Sequence, residues 1–514
     1  MDEQDEGWLK GFMTKSEMDI KYGRGNWRFV PRFLISQAMR DRLIDDAKRG
    51  AQNFATIIVD TIFTISLDFL AECLSIMSSE LLDMIQEETG ERPSEMPSWF
   101  SLGMSLDDLP DAYKGSPIAP DHARACAVSI WHAERNEWLF AVPRTLIFGL
   151  ASAVNAFNRL PTLTTAAARR RMATAAGAFF DDVAVVDSGS SQGSGARASS
   201  CLLHAVGAPP SKEKSIPWGQ HRVWLGMSAS MAEVAELGTA SVQAKDANVH
   251  NLERTLNKAI ASKTLGTAEA SKARGQSGWT GSLAAGRCGR VGAEVLKKHQ
   301  YGDCADLTED EIEDLSFLKL VASAWPAKTL QIWGRMRAPV LVYSDASYEP
   351  ETDVTPRLGW VLMPGGGRTP LGRTCDVPMA TYDSWIERKQ QIFPAEAVAP
   401  LAVLLNHPEE VRGRDVIFFV DNEAAVAACI RGASRCDDVG LIVQATQWEA
   451  LKLGCRLWFE WIDSKSNPSD GLSRDGLADE WTIAQQWQLE MGFVPEMIAS
   501  KHALKAMIAE TLGL

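Results

Sequence analysis

The part of the chain that begins at Pro339 alternates strand-like and helix-like segments, and this succession limits the folds that it can adopt. The first apolar run, PVLVYSD, predicts a buried strand. Further strand-like runs occupy residues 358–364, 375–380, 415–421 and 455–463, and helical spacing marks residues 393–407, 423–432 and 442–454. Strands followed by alternating helices and strands predict an α/β domain of about 140 residues.

Two of these strands end in an aspartate, at the edge where an open α/β sheet presents its ligand site. They are Asp345 in YSDAS and Asp421 in VDNEA, while Glu396 lies on a predicted helix and Asp470 starts a short helix. Four carboxylates at one place would raise each other's pKa, so we expect a divalent cation to neutralise them. Mg²⁺ or Mn²⁺ is the hard cation expected for oxygen ligands that also meet phosphates. Taken singly, each acid also fits a role as a turn residue, a solvated helix residue or a helix cap.

Together, these acids and the strings around them resemble the RNase H family in the form that retroelements carry. The strings are YSDAS, AEAVAPL, VDNEAA and SNPSDGLSR. The resemblance implies that Asp345, Glu396, Asp421 and Asp470 hold two metal ions and cut the RNA strand of an RNA–DNA hybrid. One departure is the string WIDSKSNPSD, which lacks the histidine that many members carry shortly before the last aspartate.

The first half of the chain carries a second set of acids. DDLPDAYKG (107–115) and FFDDVAVVD (179–187) place aspartates beside apolar residues, and the second string predicts a hairpin with paired acids at its turn. An ordinary Asp-Asp turn is the alternative. Both strings resemble the metal-binding motifs of reverse transcriptases. The resemblance implies that Asp108 and Asp181 are catalytic metal ligands, with Asp182 beside them.

Other strings extend this resemblance in the order of the family. FGLASAVNAFNRL (148–160) resembles the motif that supports template and nucleotide, and RLIDDAKRGAQN (42–53) resembles the fingers segment near the triphosphate. GAPPSKEKS and the strand-like VWLGM (223–227) resemble the motifs that close the palm. The tyrosine of DAY would lie under the sugar, where an aromatic ring clashes with a 2′-hydroxyl. The substrate-binding residues that the resemblance implies are Arg42, Lys48, Tyr113, Phe148, Gly149 and Lys214.

Charge supports nucleic-acid binding only locally. The formal net charge of −14 has the wrong sign for a protein that coats nucleic acid. Residues 251–300 are nevertheless rich in lysine and arginine, and 169–171 are three consecutive arginines. A solvated helical face is the alternative for the first of these stretches. The resemblance to reverse transcriptases places residues 251–300 in the thumb and connection, which would grip a hybrid.

Other features of the sequence concern compartment and local order. The nine cysteines show no C-x-x-C spacing, which argues against a zinc site or a disulfide framework. The acidic start MDEQDEGWLKG does not resemble a signal peptide, so we expect an intracellular protein, cytoplasmic or nuclear, away from membranes. The mostly apolar stretch 54–74 also contains three acids. We therefore expect it to form a buried helix rather than a membrane span. The Gly/Ser-rich run 188–200 is expected to be a flexible loop.

The combined expectation is an α/β and α+β multidomain protein, with reverse transcriptase fingers, palm and thumb followed by an RNase H-like α/β domain. The domains are fingers and palm at 1–230, a thumb- or connection-like segment at 231–335, the RNase H-like domain at 336–480 and a C-terminal helical tail at 481–514. The expected function is that of an RNA-directed DNA polymerase, a nucleotidyltransferase, with RNase H activity, from a long-terminal-repeat or DIRS-like retrotransposon. Its expected partners are an RNA template, a DNA primer, an RNA–DNA hybrid and deoxynucleoside triphosphates. The alternatives are a decayed or domesticated copy that binds nucleic acid without catalysis, and a structural protein that only retains the fold.

Overall fold

Two units, each built from helices and strands, make up the chain. The computed structural model describes residues 3–35, 42–285, 287–288, 292–324, 327–334, 338–349, 354–389, 391–494 and 500–513. Unit 1 comprises Met1–Leu225, Ala229–Ala240 and Leu330–Gly334, and unit 2 comprises Gly226–Ser228, Ser241–Thr329 and Arg335–Leu514. The mixture of helices and sheets confirms the predicted multidomain fold class with α and β elements. No helix within the described ranges is long and apolar enough to cross a membrane.

Two sheets form the framework of unit 1. The first contains β1 (Met13–Thr14), β2 (Phe29–Ile35), β3 (Arg42–Asp45), β5 (Ala127–His132) and β6 (Glu137–Ala141), in the order β1-β6-β5-β2-β3. The second contains β4 (Leu102–Asp108), β7 (Ala175–Phe179), β8 (Asp182–Ser188) and β9 (Ile216–Gly219), in the order β7-β8-β4-β9. All strand pairs of the second sheet are antiparallel. This sheet carries the acids of the first half at one end.

Helices cover the second sheet of unit 1. The helices of the unit are α1 (Lys15–Tyr22), α2 (Gln52–Ala55), α3 (Leu67–Thr89), α4 (Pro120–Ala123), α5 (Ala151–Met172), α6 (Ser194–Ala205) and α7 (Val234–Leu237). α5 packs against β7 and α6 packs against β8, with Phe157, Val183 and Leu203 in a shared core. The arginines of 169–171 lie in the last turn of α5, where positive charge interacts favourably with the helix dipole. That position gives the arginine cluster a structural role.

Residues 188–200, predicted to be a flexible loop, are mostly helical, so this prediction was wrong. A 3₁₀ turn at Gly189–Ser191 precedes α6, and the Gly195 amide donates to Asp187 Oδ2 at 3.0 Å. Ser199 and Leu203 of this helix are buried. Tertiary packing and the carboxylate at the start of the helix override the low helix propensity of glycine and serine.

The stretch from Phe54 to Leu74, predicted to be one buried helix, is helical only at its ends. α3 begins at Leu67, because the Ser66 side chain accepts the hydrogen bond of the Asp68 amide. Residues 56–66 form neither helix nor strand. Many of them are β-branched and lose side-chain freedom in a helix. Ile57 is 87% exposed, so this stretch is also not buried.

Short strands follow α6 and β9 in the chain. They are β10 (His221–Trp224), β11 (Met227–Ser230), β12 (Thr239–Ala244) and β13 (Lys328–Gln331). The string VWLGM, predicted to be one strand, is interrupted by a turn between β10 and β11. Leu225 and Gly226 occupy that turn with φ of +50° and +73°, which is incompatible with a continuous strand.

The amino-terminal part of unit 2 is helical. Its helices are α8 (Asp246–Ser262), α9 (Thr267–Ala285), α10 (Ala293–Tyr301) and α11 (Glu309–Ser323). Leu252, Leu256, Leu296 and Leu315 meet in their shared core. α11 starts with a capping box in which Thr308 and Glu311 satisfy each other's backbone amides.

A six-stranded sheet forms the centre of the rest of unit 2. It contains β14 (Val340–Ser347), β15 (Arg357–Met363), β16 (Leu371–Asp376), β17 (Asp415–Val420), β18 (Arg456–Trp461) and β19 (Gln488–Met491), in the order β18-β17-β14-β15-β16-β19. β14 and β16 are antiparallel to β15, whereas β17 runs parallel to β14 and β18. The predicted tail 481–514 is therefore only partly helical, because β19 pairs in parallel with β16.

Helices surround this sheet. They are α12 (Met379–Asp383), α13 (Ile392–Asn406), α14 (Pro408–Val411), α15 (Glu423–Arg431), α16 (Asp437–Leu453), α17 (Asp470–Arg474), α18 (Glu480–Ala484) and α19 (Lys501–Leu512). α13 packs against both β14 and α16, so its residues from Pro394 to Leu404 are all buried. This burial extends to Glu396, an ionisable residue that rarely occupies such a position without a partner.

Candidate active sites

The hairpin of β7 and β8 brings together the acids of unit 1, which we call the first acidic site: Asp108, Asp181 and Asp182. Asp182 begins β8 and lies directly opposite Asp108 in the antiparallel register with β4. Asp181 lies in the turn before it, where its carbonyl accepts the Leu109 amide at 2.9 Å. The predicted hairpin with acids at its turn is thereby confirmed.

The turn itself is strained. Phe180, which precedes Asp181, has φ of +53°, a region that bulky side chains rarely adopt. Such a conformation costs on the order of 1 kcal/mol and persists only where the surrounding structure enforces it. The antiparallel pairing of Phe179 with Asp182 supplies that constraint.

Electrostatics at the first acidic site favour a bound cation. Burial, and then the charges of Asp181 and Asp108, raise the pKa of Asp182 to about 6. Lys214 Nζ donates to Asp108 Oδ1 at 2.7 Å. That hydrogen bond raises the pKa of Lys214, and nearby carboxylates add to the effect. The lysine therefore offsets part of the negative charge of the site.

An aromatic pocket lies beside the first acidic site. The Tyr113 ring packs edge-on against Phe148 and Phe157, with centroids 4.9 Å and 5.4 Å away. Burial raises the pKa of the Tyr113 hydroxyl, and the charge of Asp181 raises it further. Tyr113 also packs against the core of Leu109, Phe157 and Val183, in which Leu109 and Val183 directly follow Asp108 and Asp182 in the chain. The pocket thus joins two of the predicted substrate-binding residues to the first acidic site.

Gly149 allows a close approach of two backbone segments next to this pocket. Its φ is +96°, and a Cβ at this position would lie 2.0 Å from the Asp45 carbonyl oxygen. Only glycine fits both conditions. The Asn53 side chain donates to the Gly149 carbonyl and accepts from the Ala151 amide, both at 2.9 Å. Asn53 therefore fixes the start of α5, a role that the sequence alone did not identify.

The two remaining predicted substrate-binding residues lie in or after β3. Lys48 is exposed. Arg42 opens β3 by its backbone, and its side chain lies outside what the structure describes.

The second acidic site lies in unit 2 and consists of Asp345, Glu396, Asp421 and Asp470. Asp345 is on β14, two residues before its end, and Asp421 directly follows β17. Because Ser344 pairs with Val420 in the parallel register of β14 and β17, the two aspartates are neighbours.

Three members of the second acidic site are close enough to share an ion. One ligand oxygen from each of Asp345, Glu396 and Asp421 lies within 4.8 Å of the others. It is the one such group of three that the described residues contain. Glu396 Oε1 accepts the Ala346 amide at 3.2 Å, whereas its buried Oε2 has no hydrogen-bond partner. A buried carboxylate oxygen without a donor fits a metal ligand.

The pKa values of two carboxylates in the second acidic site also favour a bound cation. Burial, and then the charges of Asp421 and Asp470, raise the pKa of Asp345 to about 7, against a hydrogen bond from Ser473 that lowers it. Burial, with the charges of Asp345 and Asp421, raises the pKa of Glu396 well above its usual value. A divalent cation would stabilise the ionised forms of Asp345 and Glu396 and so oppose both pKa shifts. The donor set therefore fits Mg²⁺.

Asp470 lies at the margin of the second acidic site. Its Oδ1 pairs with Arg474 Nη2 at 2.9 Å, and 37% of its side chain is exposed. It belongs to α17, which the structure attaches firmly to β14. Ser473 Oγ donates to Asp345 Oδ2, and the Ser473 carbonyl accepts from Ser347 Oγ at 2.6 Å.

Two serines that the sequence did not single out orient the carboxylates of the second acidic site. Ser473 bonds Asp345, and Ser464 Oγ donates to Asp421 Oδ2 at 2.6 Å. Ser473 lies in the string SNPSDGLSR and Ser464 lies two residues before it, so the density of hydroxyls in this segment was the available signal. Each hydroxyl occupies one oxygen of its carboxylate and leaves the other for a cation.

Four lysines of the basic stretch 251–300 form ion pairs with glutamates. The lysines at 258, 263, 297 and 298 each pair with a glutamate, at positions 269, 309, 294 and 311. These pairs are mostly exposed and hold the helices only weakly. Such pairs agree with the solvated helical face that was the alternative for this stretch.

No model of a known protein family matches the sequence, and no curated protein matches it. Among solved structures, the chain is similar to the foamy viral protease-reverse transcriptase dRH in complex with dsDNA, at 12% identity and a TM-score of 0.42, covering 90% of this chain and 68% of that one. It is also similar to the foamy viral protease-reverse transcriptase in complex with dsDNA, at 13% identity and a TM-score of 0.42, covering 90% of this chain and 81% of that one.

Proposed function

We propose that the chain is an RNA-directed DNA polymerase with RNase H activity, of retroelement origin, and that each unit carries one of the two active sites. The observation that carries the proposal is the pair of separate carboxylate sets. One lies at a hairpin beside an aromatic pocket, and the other lies in an α/β sheet where three ligand oxygens share a space of 4.8 Å.

In unit 1, Asp108 and Asp181 would hold the metal ions of polymerisation. Bound Mg²⁺ would lower the charge of the triphosphate and favour attack by the primer 3′-hydroxyl on the α-phosphorus, with pyrophosphate leaving. Lys214 would contact the triphosphate when released from Asp108, and Tyr113 would lie under the sugar. Phe148 and Phe157 hold the Tyr113 ring in place.

In unit 2, Asp345, Glu396 and Asp421 would hold the metal ions of hydrolysis, with Asp470 at the margin. Ser473 and Ser464 keep two of these carboxylates oriented before a cation arrives. Such pre-orientation reduces the reorganisation that binding and catalysis would otherwise require. The substrate would be the RNA strand of an RNA–DNA hybrid, and water would be the nucleophile.

One observation favours a second candidate, a copy that binds nucleic acid without polymerising. Lys214 is engaged with Asp108, and the oxygens of the first acidic site do not form a group of three within 4.8 Å among the described residues. A protein of this kind would retain binding of primer and template but lack extension.

Primer extension and hybrid cleavage by the full chain test the proposal. We expect extension of oligo(dT) on poly(rA) and cleavage of an RNA–DNA hybrid, both dependent on Mg²⁺. Asp181→Asn should abolish only extension and Asp421→Asn only cleavage, whereas the exposed Asp383→Asn should change neither. A wild-type protein that binds primer and template but does not extend it would support the second candidate. Equal loss of both activities in either variant, with the fold preserved, would refute the assignment of two sites.

A further inference from the structure

A buried network of four charges connects the beginning of the chain to the pocket around Tyr113. Lys114 Nζ donates to Glu3 Oε1 at 2.6 Å. Arg32 donates to Glu3 Oε2, and it also bonds both oxygens of Asp45, at 2.6 Å and 3.1 Å. The side chains of Arg32 and Lys114 are each only 5% exposed. Two acids and two cations therefore neutralise one another away from water.

The network is sensitive to the loss of one member. Burial favours a protonated Glu3, but the charges and hydrogen bonds of Arg32 and Lys114 outweigh it and hold the pKa of Glu3 below its usual value. Glu3 is the one member that contacts both cations. Removing the charge of Glu3 leaves two buried cations and only one carboxylate, that of Asp45. An uncompensated buried charge of this kind strongly destabilises the fold.

Both ends of the network lie next to predicted substrate-binding residues. Lys114 follows Tyr113 in the 3₁₀ turn Ala112–Gly115, which the chain enters through Asp111 at φ +56°. At the other end, the carbonyl oxygen of Asp45 is the atom that a Cβ on Gly149 would meet at 2.0 Å. The network therefore fixes the backbone on two sides of the pocket.

Glu3 is itself held in place by the segment around it, residues 3–14, which we call the N-terminal strap. The amides of Trp8 and Leu9 donate to the Glu3 carbonyl at 3.0 Å and 3.2 Å. The strap then pairs with the first sheet, since Lys10 donates to Val142 at 2.9 Å and β1 pairs with β6. The Lys114 ammonium also lies 5.5 Å from the centroid of the Trp8 ring.

We propose that Glu3 is a positioning residue of the nucleotide pocket, and that the N-terminal strap sets the choice between deoxyribo- and ribonucleotides by fixing Tyr113 relative to Gly149. The proposal rests on the proposed polymerase function. A gate that excludes a single hydroxyl depends on small displacements of its aromatic ring, and a shift of about 1 Å in such a group has large kinetic effects. The strap acts on that ring through Lys114, without touching the nucleotide.

The test compares Glu3→Gln with Glu6→Gln, a matched change of an exposed acid in the same strap. We expect Glu3→Gln to raise the KM for deoxynucleotides about tenfold and to reduce the preference for deoxyribo- over ribonucleotides. Glu6→Gln should change neither quantity, and hybrid cleavage should be unchanged in both variants. An unchanged KM and an unchanged sugar preference in Glu3→Gln would overturn the proposal.

Hydrogen–deuterium exchange separates this proposal from the proposed function. In Glu3→Gln, the amides of residues 110–118 and 146–152 should exchange faster than in the wild type and in Glu6→Gln, whether or not the protein extends primers. If Glu3→Gln does not fold, Glu3→Asp is measured, because it keeps the charge but shortens the reach to Lys114. Unchanged exchange in the pocket of the folded variant would overturn the positioning role even in an active polymerase. Faster exchange in a protein that never extends primers would refute the proposed polymerase function but would support the positioning role of Glu3.

Discussion

Lys214 and Asp108 form an ion pair at the first acidic site, with 2.7 Å between Nζ and Oδ1, although 106 residues separate them in the chain. The lysine occupies an oxygen that the proposed mechanism assigns to a metal ion. Cation binding and the Lys214 contact therefore compete for Asp108.

Replacing this lysine should change the dependence on Mg²⁺. In Lys214→Met, Asp108 is free and the site is more negative, so the Mg²⁺ concentration for half-maximal extension should fall by up to roughly fivefold, as expected for an exposed pair. The KM for deoxynucleotides should rise, because the triphosphate loses a cation. The control is the exposed neighbour Lys212→Met, and identical Mg²⁺ titrations of the two variants would contradict the competition.

Removing the aromatic ring under the proposed sugar position should change sugar selection. Tyr113→Ala should raise the efficiency of ribonucleotide incorporation relative to deoxyribonucleotide, because the 2′-hydroxyl would meet no ring. Loss of the ring contacts with Phe148 and Phe157 should also cost about 1 kcal/mol of stability per aromatic pair. Single-nucleotide extension with matched nucleotides measures the ratio. Tyr113→Phe keeps the ring and should keep the ratio, and an unchanged ratio in Tyr113→Ala would place the gate elsewhere.

Metal and stability should be linked at the second acidic site. In chelator, like charges on Asp345, Glu396 and Asp421 oppose folding, and Mg²⁺ that binds only the folded chain should raise the melting temperature with concentration. Asp345→Asn should melt higher than the wild type in chelator, respond less to Mg²⁺ and cleave no hybrid. Calorimetry of the full chain across a Mg²⁺ titration measures these effects, with Asp383→Asn as the control. Equal Mg²⁺ responses in all three proteins would refute the metal site.

A buried histidine should make unit 2 less stable in mild acid. Trp360 Nε1 donates to His407 Nε2 at 2.9 Å, and burial, with the charge of Arg373, lowers the pKa of His407 from 6.5 to about 4. Because the folded pKa is the lower one, this contribution to stability is complete above pH 6.5 and is lost as the pH falls toward 4. A shift of this size corresponds to roughly 3 kcal/mol at most. Urea midpoints from pH 7 to pH 4 should fall more steeply in the wild type than in His407→Gln, and parallel slopes would disprove the effect.

Much of the fold of unit 2 could be predicted because its sequence patterns are local. The apolar runs that predicted β14, β15, β17 and β18 are continuous, and α13 and α15 have helical spacing over nearly their whole length. The helix predicted at 442–454 starts earlier, at Asp437 in α16, and the strand predicted at 375–380 was wrong beyond Asp376, because α12 begins at Met379. Asp345 and Asp421 were predicted to meet because each ends a predicted strand, at the edge where an open α/β sheet presents its ligand site. The structure brings Glu396 to them, but it leaves Asp470 beside Arg474.

Other elements could not be predicted because distant parts of the chain decide them. Residues 188–200 contain little to bury, yet α6 forms there, since Leu203 packs against the hairpin of β7 and β8. The segment after Phe54 is apolar but mostly exposed. β19 is short and joins the sheet by pairing with β16. These two strands are distant in the chain, since Arg373 and Glu490, which bond to each other between them, are 117 residues apart.

The sequence by itself determined the class of the fold, the order of most strands and helices after Pro339, and which carboxylates could meet, because periodicity and strand ends are properties of short segments. Only the tertiary structure decided that Lys214 pairs with Asp108, that Ser473 orients Asp345 and that Glu3 joins Arg32 to Lys114. These contacts join residues about one hundred or more positions apart, or, for Glu3 and Arg32, residues on separate segments. Their geometry depends on how whole elements pack, which no local pattern of residues records.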